Sequence, residues 1–114
     1  MSTLTFKEIV DRVSEGNLGG DEIAHYRNFC ASWLFRFNTE YGELVASGAM
    51  WQTANQEKHK SQASCERAWQ ATPEGQKEIR LKYKIRGIEH INDALLTNHM
   101  LLQRELKEVH AVAS

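Results

Sequence analysis

The sequence predicts an all-α protein built as a short N-terminal helix followed by a long antiparallel helical hairpin with coiled-coil-like packing. Three observations carry this. A single proline occurs in 114 residues, in a chain rich in the strong helix formers Ala, Leu, Glu, Lys, Gln and Arg. Apolar side chains recur at steps of three and four over long stretches, the spacing of one helical face. The stretch "ATPEG" at residues 71–75 has the build of a helix restart at a bend, with threonine as cap, proline at the first helical position and an acid in the first turn.

The first helix is expected over about 5–15. Thr5 and Glu8 stand three apart as a capping box, Leu4 and Ile9 flank them as a hydrophobic staple, and Phe6, Ile9, Val10 and Val13 line one face. Gly16 ends it. Asp21 is the natural cap of a second helix over about 21–70, whose seam runs Ile23, Tyr26, Cys30, Trp33, Phe37, Tyr41 and Leu44. Gly42 and Gly48 each cost about 1 kcal/mol in a helix interior. In an unbroken helix Trp33, Trp51 and Trp69 would share a face, yet that face would also carry Asn55, Lys58 and Gln62. Either the helix breaks near 48–55 or it continues with little packed against it. The third helix, about 73–110, holds a four-three seam of Leu81, Ile85, Ile88, Asn92, Leu95, His99, Leu102, Leu106 and Val109. All of this is read as one helical domain, 1–114.

A hairpin folded at Thr72 sets Ile85 and Ile88 opposite the polar part of the second helix. A second copy or another protein is then expected to cover them, and a homodimer is favoured, with Asn92 on the seam fixing register. Met50 and Trp51, in the thin middle of the second helix, complete the expected protein interface. Phe29, Trp33, Leu34, Phe35 and Phe37 are too many for one narrow seam, so Phe35 or Phe29 must face the first helix, another subunit or a partner.

Chemistry is sparse. His25, His59, His90, His99 and His110 form no HExxH pattern, Cys30 and Cys65 fit no zinc spacing, and no nucleophile elbow or glycine-rich phosphate loop is present. No catalytic residue, metal or cofactor is expected, and the two cysteines read as buried thiols. No apolar run approaches the roughly 20 residues that span a bilayer, and "MSTLTFKEIVDR" lacks the build of a signal peptide, so no membrane partner and a cytoplasmic location are expected.

Net charge is −1, unevenly spread. Residues 1–56 carry four bases against seven acids, and residues 57–90 carry eight bases against five acids. In the basic part Lys77, Arg80 and Lys84 share a helical face, and with Lys58, Lys60 and Arg67 they are candidates for phosphate contacts, Trp69 or Tyr83 stacking on a base. The bland alternative is a solvated outer face, since Glu74 and Glu78 interleave and the sequence pI is about 6.5.

The stretch "SQASCERAWQATPEGQKEIRLKYKIRGIEHINDAL", Ser61 to Leu95, resembles a class of small phage-encoded helical proteins. In that class a Ser-Ala-Glu-Arg-Trp stretch precedes Ala-Thr, a glycine and a long lysine-rich amphipathic helix. The matching residues are Ser61, Ala63, Glu66, Arg67, Ala68, Trp69, Ala71, Thr72, Gly75 and the apolar positions from Leu81 to Leu95, about a third of the chain. The resemblance implies a phage or prophage origin, hence a host-cell cytoplasm, and carries over no functional residue. Two functions are therefore expected. The first is a non-enzymatic protein that occupies a surface of a host or phage protein, such as an inhibitor of a defence system like CRISPR. The second is a nucleic-acid-binding accessory of phage recombination or replication.

Overall fold

The computed structural model describes residues 4–113, which form helices α1 (Phe6–Glu15), α2 (Gly20–Asn55), α3 (Gln62–Gln70) and α4 (Pro73–Ala113), with one 3₁₀ turn at Gln56–Lys58. No strand occurs among the described residues, and α2 and α4 pack against each other as a helical hairpin. The seam positions Leu102, Leu106 and Val109, with His110, lie outside the described side chains. By proximity the chain divides into two compact units. One holds the chain up to Trp33 and from Gly87 onward, and the other holds Leu34–Arg86.

In the first unit α1 starts as its sequence dictates. The Glu8 amide donates to Thr5 Oγ1 at 3.2 Å and the Thr5 amide to Glu8 Oε2 at 3.5 Å, closing the capping box. It ends at Gly16, whose φ of 78° belongs to the left-handed region, with its amide donating to the Val13 carbonyl. Helix α2 begins at Gly20, so Asp21 lies inside the first turn beside Glu22 instead of capping it, where the helix dipole still favours an acid. The Arg12 guanidinium then grips Glu22 with two bonds of 2.8 Å, and Tyr26 donates to the same carboxylate at 2.9 Å. This fork fixes α1 on α2, and it holds the Glu22 carboxyl below its usual range, chiefly through the hydrogen bond from Arg12. Ile9, Leu18, Ile23, Tyr26, Cys30, Ile88 and Leu95 are the unit's buried core. Burial pushes the Cys30 thiol up, leaving it protonated and inert. Phe6 meets Trp33 edge-on at 6.3 Å, and its ring lies 3.9 Å from where a Cβ would stand on Gly87.

In the second unit α2 passes unbroken through Gly42 and Gly48. The break comes later, over residues 56–61, and Ser61 opens α3 by accepting the Ser64 amide at 3.1 Å. The expected continuation of the second helix to residue 70 is therefore replaced by a separate α3. At the bend, Thr72 donates to the Trp69 carbonyl at 2.6 Å and accepts the Gly75 amide at 3.0 Å, and Pro73 starts α4. Trp69 is buried here between two glycines. A Cβ on Gly48 would stand 2.8 Å from its indole, and one on Gly75 would overlap its carbonyl oxygen. The indole N–H points to Glu78 Oε2 at 3.4 Å.

Because α3 leaves the line of α2, the hairpin register differs from the one expected from the sequence. Lys77 pairs with Glu40 at 2.6 Å and Lys84 lies 4.3 Å from the Phe37 ring centroid. Ile85 thus stands opposite an apolar part of α2, not opposite Asn55 to Gln62. It is 6% exposed, and Ile88, in the first unit, is 1% exposed. Both isoleucines are covered within the chain, and the need for a second copy to shield them disappears.

Two measurements follow from these contacts. Gly42 has nothing within 4 Å of an added Cβ, so Gly42→Ala is expected to raise stability by about 1 kcal/mol. Gly48→Ala, forced against the indole, is expected to lower it by about 1–3 kcal/mol; urea midpoints of the pair check both signs. The lowered carboxyl of Glu22 stabilises the fold above its unfolded value near 4.5, and that stability is lost as pH falls through the lower folded value. Glu22→Gln is expected to flatten the acid limb of a stability–pH curve below about pH 5, and a limb as steep as wild type would refute the assignment.

Candidate functional site

Within the second unit, α2 turns Phe37, Tyr41, Leu44, Gly48, Trp51 and Asn55 inward, partly or fully covered. Between Glu43 and Glu57 it carries no charged residue. Its outward side is therefore made mostly of small and neutral residues, with Ala46, Ala49 and Gly42 flat between protruding Phe35, Val45 and Met50 and exposed Glu43 at the edge beside Met50. Phe35 is 78% and Met50 74% exposed. The hydroxyls on this side turn back on their own helix. Thr39 donates to the Phe35 carbonyl at 2.8 Å and Thr53 to the Ala49 carbonyl at 3.0 Å. A face that exposes an aromatic ring and a thioether, with its hydroxyls internally satisfied, costs little to desolvate and has flexible and flat elements to fill a partner's surface.

Of the expected interface residues, Met50 belongs to this face. Trp51 does not: its ring packs 5.8 Å from that of Trp69 and 6.2 Å from that of His59. Ile85 and Ile88 are core, and Asn92 is half-buried. Phe35 was legible as surplus to the seam, and the uncharged run after Glu43 was the signal that marks its neighbours.

The basic candidates divide. Trp69, 5% exposed, is closed off from any base, so stacking on it is ruled out. Lys77 is held by Glu40, and Lys84 lies over Phe37. Lys58, Lys60, Arg67 and Arg80 are exposed and take part in no ion pair among the described residues. Tyr83 is 65% exposed, with Arg86 6.0 Å from its ring centroid.

Among the described residues no group of three His, Cys, Asp or Glu side chains stands where it would hold a metal ion, and no helix is long and apolar enough to cross a membrane. Cys30 and Cys65 are both buried and unpaired with each other. No protein-family model, no curated protein and no solved structure matches this chain.

Exposure and burial give opposite expectations for two substitutions. Phe35→Asp with Met50→Asp is expected to leave the unfolding midpoint within about 1 kcal/mol of wild type, since neither side chain is packed. Ile88→Lys buries a charge and is expected to cost about 3–5 kcal/mol or abolish folding; circular dichroism melts of the two variants distinguish the faces.

Proposed function

We propose that the chain is a non-enzymatic binding protein that acts by laying the largely neutral outer face of α2, centred on Phe35, Val45 and Met50, against a surface of another protein. The observation that carries this reading is the exposure of Phe35 and Met50 on one side of α2, where Glu43 stands at the edge and no further charge follows through Asn55. In the phage setting implied by the resemblance of residues 61–95, the partner is a host or phage protein. A component of a defence system such as CRISPR is the target class, with the chain working as its inhibitor in the host cytoplasm. Nothing in this mechanism needs a cofactor. It requires only that a pre-formed helix present its side chains with little loss of conformational freedom on binding.

A second reading draws on the four unpaired bases Lys58, Lys60, Arg67 and Arg80 together with exposed Tyr83. Such a set supports nucleic-acid binding by phosphate contacts and stacking, as an accessory of phage recombination or replication. The capture of Lys77 and Lys84 by their own hairpin and the burial of Trp69 weaken it.

One capture experiment separates the two. Tagged wild-type protein, the Phe35→Asp/Met50→Asp variant and an Arg67→Glu/Arg80→Glu variant are passed through host lysate with and without nuclease, and retained proteins are identified by mass spectrometry. The expected result is a discrete partner that survives nuclease, persists with the arginine variant and is lost with the aspartate variant. Partners that vanish with nuclease and with the arginine variant would establish nucleic-acid binding in its place, with a steep loss between about 50 and 200 mM salt.

A further inference from the structure

The connection between α2 and α3 opens a cleft of about 580 Å³ that borders the outer face of α2 at Ala49 and Thr53 and whose other lining residues the protein-binding reading does not use. Its polar lining comes from Gln52 of α2, from Gln56, His59 and Lys60 of the connection, and from Ser61 and Gln62 where α3 begins. We propose that this cleft binds a phosphate-bearing small molecule of roughly nucleotide size.

The sign of the site is the first argument. No carboxylate is among the residues that line it, in a chain where acids outnumber Lys and Arg by 15 to 14. Lys60 contributes a full positive charge, and the start of α3 adds a partial one of the same sign. Glu66 is near but does not line the cleft, and the Gln62 amide reaches it at 3.5 Å.

The donors are the second argument. The Ser61 hydroxyl accepts the Ser64 amide through its oxygen, which leaves its proton to donate. Gln52, Gln56, His59 and Lys60, all lining the cleft, supply amide, imidazole and ammonium donors from α2 and from the connection. His59 is steadied by its ring contact with Trp51, at 6.2 Å and 35°. The floor is closed by Cys65, whose thiol donates to the Gln52 carbonyl at 3.6 Å. This bond ties the α2 wall to the α3 wall, so the cleft is pre-formed by packing and not by a side chain that must move in.

Size is the third. Small-molecule sites occupy about 300–1,000 Å³, and a cleft of about 580 Å³ has room for more than a free phosphate ion. Glutamine amides, with a donor and an acceptor each, suit the polar edges of such a ligand.

Calorimetric titration of the full chain with AMP, inorganic phosphate and adenosine tests the proposal, on wild type, Lys60→Glu and Arg80→Glu. AMP is expected to bind wild type and Arg80→Glu saturably at one site, and Lys60→Glu about tenfold or more weakly. Inorganic phosphate displacing AMP upholds the anion chemistry, and an AMP affinity above that of phosphate upholds the nucleotide size. Adenosine binding as tightly as AMP overturns the proposal. So does the absence of saturable AMP binding at millimolar concentration, or an equal loss in Lys60→Glu and Arg80→Glu.

Discussion

The end of the hairpin depends on one tryptophan seated where two glycines leave room, Gly48 for its indole and Gly75 for its backbone. Trp69 lies at the end of α3; its indole is seated because Gly48 on α2 has no Cβ to meet it, and its carbonyl approaches α4 because Gly75 has none. An aromatic side chain of this size buries about 150–250 Å², worth several kcal/mol at about 25 cal/mol per Å². That gain exceeds the roughly 1 kcal/mol that each glycine costs in a helix. Once Trp69 is placed, Thr72 can bond both sides of the bend, Pro73 can start α4, and α4 meets α2 at Glu40 and Phe37. The register of the hairpin follows from where this wedge holds α3.

That register decides which side chains are available for binding. It draws Lys77 and Lys84 into contacts with α2 and covers Ile85, leaving the outer side of α2 with Phe35, Val45 and Met50 exposed. A solvated helix side normally carries ions, because their hydration is lost on burial. Twelve residues of α2 without one, with a 74% exposed methionine among them, have the composition of a surface that is covered in use. Apart from Lys60 at the cleft, the exposed bases left over are spread across the connection, α3 and α4, where hydration alone accounts for them.

The connection at 56–61 has a different character. It interrupts the helix with Gln, Glu, Lys, His, Lys and Ser, so the backbone leaves the helical path among polar groups that water or a ligand can satisfy. The result is a concavity whose walls are fixed by Cys65 and Trp51 while its rim is polar. The two candidate sites therefore differ in physics: one relies on desolvating neutral atoms, the other on a localised positive charge.

Much of the architecture was legible in the sequence because it is set by contacts within a few residues. The capping box at Thr5 and Glu8, the stop at Gly16, the restart at Thr72 and Pro73, and the seam from Ile23 to Leu44 all act over one turn of chain, and the structure contains each of them. Propensity failed at Gly48, which reads as a break and is a close approach, because the atoms that need the space belong to Trp69, twenty-one residues on. It failed in the same way for Ile88, which is buried within the chain, and for Trp69 as a stacking platform, since burial is a property of the assembled fold. The sequence by itself determined the helices and their ends, through local hydrogen bonds and periodic apolar faces. Only the tertiary structure decided the register, the covered isoleucines and the exposed face of α2, because those depend on which distant side chains compete for the same space.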